Sequence, residues 1–352
     1  MDPLTHALSG ALLARAVAQS PPQPWPEHDT VLPLRVQITA GFTAAAFPDV
    51  DFALRLIDTL TYLNWHQGPT HSLILLPLWA WLLARLLAWL TQRHDAWKLF
   101  LPPICLGIAI HIAGDFITSY GLMLFAPFST ERFSLPLVFV IDPWFSLIII
   151  AGLIISWRYP RQRIAAMVAL ACLCGYVIFL WTLHRQAIEI GIRYADSQAI
   201  SQAHITALPQ PLSPFHWKII IRHNETYHLA DINLQQSSGQ HQIIPFLPKM
   251  ASAYRPIPEN NWHIQQQFGD DFTPRTLVRE AWLSPAFEPF RAFAQFPVLE
   301  RIDTLESDLC IWFYDLRFKF PELPPSFRYG VCRQDKLSDW EIVRRHGLFY
   351  ID

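Results

Sequence analysis

Through the first half of the chain, apolar residues run on with few polar interruptions. A bilayer core needs roughly 20 mostly apolar residues in helical form. Ser72–Gln92 meets that length with one charge, Arg85, and Ile164–Leu183 with none. Leu137–Trp157 carries one, Asp142, while Leu99–Thr118 is apolar except for His111 and Asp115. Leu4–Ala18 and Leu34–Pro48 are shorter and rich in small residues, as helices inside a bundle are. The pattern predicts a mainly α, polytopic membrane bundle of about six helices over residues 1–184. Residues 185–207 read as a connecting helix. Beyond the prolines of Leu208–Pro214 the pattern changes to alternation with β-branched and aromatic residues, the mark of strands. His216–Arg222, Thr226–Asn233, Gln240–Pro245 and Leu309–Phe320 fit it. Arg275–Trp282 and Pro285–Ala294 read as helices, and Pro297–Leu305 fits either state. Residues 208–352 are expected to form a small soluble α+β domain.

Composition sharpens this division. Of 352 residues 52% are hydrophobic and only 16% charged, against about 25% charged in a typical soluble domain. Residues 1–184 hold 10 of the 27 Lys and Arg and 10 of the 29 Asp and Glu. The net charge of -2 argues against a nucleic-acid partner, which selects a basic face. The start has Asp2 where a cleavable signal would be basic, so it reads as the first helix of the protein. Basic residues collect on the cytoplasmic side of membrane proteins. The cluster Arg158, Arg161 and Arg163 therefore sets one loop inside, and counting loops puts residues 49–71, 119–136 and the soluble half outside. Cys310 and Cys332 are the two cysteines of that half, open to a disulfide or to two thiols.

Ionisable groups at membrane depth are costly, which makes each a candidate functional residue. Here they are His6, Asp49, Asp51, His66, His71, His111, Asp115 and Asp142. His111 and Asp115 are four apart and share a helix face. The loop count brings all of these toward the outer face, although it used none of them. Imidazole and carboxylate are the donors that Zn²⁺, Mn²⁺ or Fe²⁺ take. Two ions about 3.5–4 Å apart, bridged by Asp49 or Asp115, would activate water and clamp a phosphoryl or acyl oxygen. Singly, each residue has a structural alternative. Asp142 before Pro143 is also a helix-start pair, and His111 with Asp115 is also an intrahelical pair. No GxSxG, P-loop, GxGxxG or HExxH pattern is present.

Met1-Asp-Pro-Leu-Thr-His6, Phe47-Pro-Asp-Val-Asp51, His66-Gln-Gly-Pro-Thr-His-Ser72 and His111-x-x-x-Asp115 with Thr118-Ser-Tyr-Gly121 resemble the YdjM-type family. That family comprises inner-membrane proteins described as metal-dependent hydrolases. The resemblance covers roughly residues 1–145; where the family often carries Arg, this chain has Gln67. More remotely, the order of His and Asp is similar to zinc-dependent phospholipase C enzymes. The resemblance implies a bacterial inner-membrane hydrolase acting on a phosphoester or lipid-associated substrate.

The expected metal ligands are His6, Asp49, Asp51, His71, His111 and Asp115, with Asp142 a possible addition. The cofactor is one or two divalent ions, zinc first, manganese or iron as alternatives. His66 and Asp51 are the expected catalytic pair, and Thr70, Ser72 and Gln67 the substrate contacts. Partners are the lipid bilayer and the substrate; the oligomeric state is left open. A proton- or metal-coupled transporter and a structural stress-related membrane protein are the rival readings.

Overall fold

Asp2 begins the first helix: its carboxylate accepts from the Thr5 N–H at 3.0 Å, with Pro3 in the first turn. That pairing of acceptor and fixed φ starts a helix cheaply. In the computed structural model the elements run α1 (Pro3–Val17), α2 (Leu34–Ala46), a 3-10 helix (Pro48–Leu56), α3 (Thr59–Trp65), α4 (Leu76–Leu90), α5 (Trp97–Phe116), α6 (Pro143–Arg158) and α7 (Ile164–Ser197). The structure describes residues 1–18, 31–159, 163–235, 252–256, 262–270, 272–305, 308–334 and 338–344. The expected strand Gln240–Pro245 and Arg161 of the basic cluster lie outside them. Two units follow, Met1–Trp181 and Thr182–Asp352, and α7 runs through the boundary.

Six full crossings are not what these helices form. At 1.5 Å rise per residue, α1, α2 and α6 reach only about 22, 20 and 24 Å against a core of about 30 Å. Among the described residues two helices are long and apolar enough, His94–Phe116 and Ile164–Ser197. A third crossing exists only if Thr59–His71 and Leu76–Leu90, bent by 81°, count as one. An apolar run overstates a helix wherever Pro, Gly or Ser turns the chain inside it. Ser72, for example, accepts the N–H groups of Ile74 and Leu75 at 3.1 and 3.3 Å, so α4 begins only at Leu76.

Three glycines set the spacing of the bundle. A Cβ on Gly41 of α2 would lie 2.7 Å from the Gly10 carbonyl of α1, and one on Gly107 of α5 would lie 2.7 Å from the Gly41 carbonyl. Only backbones without side chains pack this closely. The pairing of Gly41 with Gly107 and of Ala45 with His111 makes α2 and α5 parallel. Four residues beyond the contact on each helix come His6 (toward the α1 start), Ala45 and His111. Close packing and the polar cluster are thus one helical turn apart.

The second unit holds two antiparallel four-stranded sheets. One has the order β1 (His204–Pro209), β2 (His216–His223), β3 (Thr226–Asn233), β4 (His263–Gln266). The other is β5 (Pro297–Leu305), β6 (Asp308–Asp315), β7 (Tyr329–Arg333), β8 (Glu341–Arg344). Their shared core includes Ile220, Tyr227 and Leu229 from one sheet and Val298 and Tyr314 from the other. Residues 204–207, read from sequence as helix, are strand: α7 ends at Ser197, Ala199 turns at φ 52, and Ile205 and Thr206 pair with β2. Cys310 and Cys332 stand opposite in the β6–β7 register and are joined by a disulfide.

Candidate metal centre

The cluster lies at the C-terminal end of α5. The side chain of His111 is fully buried, and its Nδ1 faces the Ala45 carbonyl at 2.6 Å. A carbonyl only accepts, so Nδ1 carries the proton and Nε2 presents a bare lone pair. His71, equally buried, is held the same way. Its Nδ1 lies 3.0 Å from Thr70 Oγ1, whose hydroxyl donates to Asp51 Oδ2 at 3.1 Å. The Thr70 oxygen therefore accepts from His71 Nδ1, leaving His71 Nε2 bare as well. The two Nε2 atoms face each other at 2.9 Å.

Two carboxylates complete the group. Asp115 Oδ2 is 3.2 Å from both Nε2 atoms without the alignment of a hydrogen bond. Asp49 Oδ1 is 3.9 Å from His71 Nε2 and 3.8 Å from His111 Nε2, and its buried Oδ2 has no hydrogen-bond partner. Four lone-pair donors with no proton among them repel unless a cation sits between them. Tetrahedral zinc with nitrogen ligands at 2.0–2.1 Å has ligand–ligand edges of about 3.3 Å, which the separations of 2.9 to 3.9 Å between the imidazole nitrogens and the other donors bracket, all four atoms lying within 4.8 Å of one another. Donor type, burial and spacing together fit a divalent ion.

A second group, Asp49, Asp51 and His66, shares Asp49 with the first. His66 Nδ1 lies 2.9 Å from Asp51 Oδ1, while Asp51 Oδ2 accepts from the Gln67 N–H at 3.0 Å.

The remaining expected residues fall outside both groups. His6 stacks on His111 with ring centres 3.7 Å apart, and its Nε2 lies 2.9 Å from Asp115 Oδ1. The Met1 amino group pairs with the same oxygen. These two contacts fix the direction of the Asp115 carboxylate. Thr70 is spent between Asp51 and His71. Ser72 donates to the Ala126 carbonyl at 2.6 Å and stitches its loop to the chain after α5. Gln67, at φ 59, contributes its N–H, and its side-chain Oε1 is buried without a partner. Asp142 stands apart as the cap of α6, accepting from the N–H groups of Trp144 and Phe145 and from the Tyr176 hydroxyl, each at 2.9 Å.

Arg132 is a positioning residue that the sequence did not single out. Its guanidinium donates to the carbonyls of Asn64 at 2.6 Å, Gly121 at 2.8 Å and His66 at 3.1 Å. Tyr120, beneath it, donates to the Leu63 carbonyl at 2.8 Å and meets the His66 ring edge-on. Cation and hydroxyl satisfy the C-terminal carbonyls of α3, where positive charge is favoured, and fix the loop carrying His66 to His71. Only a charge in an apolar stretch could have flagged Arg132; its targets are backbone atoms.

Comparison with known proteins places this geometry in context. The family described as YdjM inner membrane protein matches residues 1–187, more than half of the chain. The chain is also similar to an uncharacterized protein, YfhP, of Bacillus subtilis (strain 168), 22% identical over 323 residues, 91% of this chain and 87% of the relative. No solved structure matches.

Proposed function

Since the chain belongs to the YdjM inner membrane protein family, we propose that it is a membrane-bound metal-dependent hydrolase with its site at the outer face. His71, His111, Asp115 and Asp49 would hold a divalent ion, zinc fitting the N₂O₂ donor set best. The observation that carries this reading is the pair of bare Nε2 atoms at 2.9 Å, each fixed by a partner on its own Nδ1. Asp49 is shared by both groups and has one oxygen unpartnered, so it would be available to a second ion as well.

The ion supplies Lewis acidity toward water and toward a phosphoryl oxygen. The protein's own groups do the rest. Asp51 accepts the Nδ1 proton of His66 and so turns Nε2 outward as the proton acceptor and donor, the logic of an oriented imidazole base. His66 is less deeply buried than His71, as a group meeting substrate must be. Thr70 and Gln67 hold Asp51 rather than substrate. The substrate class is a phosphoester, lipid-borne because the donors sit at the end of a membrane span.

The test is hydrolysis of bis(p-nitrophenyl) phosphate and of phosphatidylglycerol by zinc-loaded protein in nanodiscs. Expected is turnover that His66→Asn abolishes while bound metal is retained. Fully loaded protein that hydrolyses neither would overturn the hydrolase reading and leave a metal that staples the bundle or belongs to a transport path.

A further inference from the structure

The 3-10 helix after α2 is two-faced. Asp49 and Asp51 turn into the cluster, while Val50 and Phe52 on the same turns are exposed. Leu56 and Ile57, at its end, are 89% and 76% exposed, and Trp65 closes α3 at 52%. So large an apolar face in water marks an interaction surface.

The helix geometry says which surface. α5 has 20 residues, about 30 Å long and equal to the hydrocarbon core. Asp115 is its next-to-last residue, so the cluster sits at one end of that span. α2 runs parallel to α5 and delivers the 3-10 helix at the same end. Segments at that level meet the boundary between headgroups and acyl chains, where amphipathic elements lay their apolar face into lipid. Arg55 lies 5.4 Å over the Phe52 ring, as a cation does when its stem follows an apolar surface up to water. The apolar face also leads to the site: Phe52 packs edge-on to Tyr62 at 5.3 Å, and Tyr62 stacks on His66 at 4.6 Å.

We infer that residues 48–65 form a collar immersed in the outer part of the leaflet, through which an amphiphilic substrate reaches His66 sideways from the bilayer. This deepens the hydrolase reading and rests on it for the substrate, but immersion itself is measurable without turnover. A nitroxide is placed at Leu56→Cys in a chain with Cys105, Cys172 and Cys174 changed to Ser, in phosphatidylethanolamine–phosphatidylglycerol vesicles. Asp95→Cys, exposed at the other end of α5, serves as the aqueous reference. Expected is an oxygen-to-nickel-chelate collision ratio several-fold higher at position 56 than at position 95. Equal ratios would overturn the collar, and so would exclusion of both reagents at position 56, which would mean a protein partner or a second copy covers it. Bound metal is measured on the same samples. Metal retained with no immersion sinks the collar alone, whereas metal absent sinks the hydrolase reading.

Discussion

Replacing Gly41 by Ala adds one methyl group where α2 packs closely on α1. Its Cβ would lie 2.7 Å from the Gly10 carbonyl oxygen and 2.6 Å from Ala14 Cβ, both on α1. An ordinary contact needs about 3.4 Å or more, so α2 must retreat from α1 by roughly 0.7 Å. Overpacking of this kind costs about 1–3 kcal/mol, offset in part by up to about 1 kcal/mol of helix propensity. The fold should survive. The cluster should not, because α2 carries the Ala45 carbonyl that fixes His111 at 2.6 Å and leads directly to Asp49. Metal sites hold their ligands within about 0.2 Å, and loss of an outer partner costs roughly 10–100-fold in affinity. Gly41→Ala is therefore expected to keep its helical circular dichroism while its zinc affinity, measured by chelator competition, falls at least tenfold. Gly175→Ala on α7 is the control, since nothing lies within 4 Å of its added methyl; its affinity should be unchanged. A Gly41→Ala protein binding zinc within twofold of wild type would refute the coupling of helix spacing to the site.

Thr70→Val keeps the shape but removes the oxygen 3.0 Å from His71 Nδ1. It should weaken zinc binding about tenfold or more, and an unchanged affinity in the same competition assay would contradict the assigned tautomer. Arg132→Gln leaves the carbonyls of Asn64 and His66 without their cation. Faster amide exchange across residues 59–66 is expected, with α5 unaffected, whereas protection equal to wild type would remove Arg132 from its positioning role. Lys218 on β2 lies in the second unit, where burial lowers its ammonium pKa from 10.5, Lys319 adding to that and Asp231 and Asp315 opposing. The unfolded chain therefore binds more protons below pH 10.5, and the contribution of Lys218 to stability rises with pH toward that value. Lys218→Met should flatten this rise in urea unfolding of the full chain; an unaltered slope would show the ammonium to be unperturbed.

The candidate site was legible because its residues are expensive where they stand. His111 and Asp115 interrupt an apolar run, and His66 to Ser72 packs donors around Gly68 and Pro69, so the membrane exposes them even in a single sequence. Which of them point inward was not legible. The partner that bares His111 Nε2 is a backbone carbonyl 66 residues away, and a carbonyl has no letter in the sequence. His6 lies outside both groups of possible ligands, its Nε2 against Asp115 Oδ1 at 2.9 Å, a placement that no letter of the sequence gives. Helix number failed for a related reason: hydropathy counts apolar residues, whereas a span needs unbroken helix, and Pro48, Pro69 and Ser72 end it early. In the second unit β3 alternates along most of its length, while β2 is buried almost throughout and shows itself by its β-branched run Ile219–Ile221. β4, β7 and β8 are only four or five residues long, too short for a period-two signal, and they become strands because a longer neighbour offers them its edge.

The presence of a cation among His71, His111, Asp115 and Asp49 is tested most directly by elemental analysis of the protein purified in detergent beside His111→Ala and Asp49→Ala. Near-stoichiometric zinc, manganese or iron in the wild type, falling in both variants, is the expected result. A folded wild type that stays metal-free after loading would contradict it, because bare imidazole nitrogens 2.9 Å apart would then have to share a proton instead.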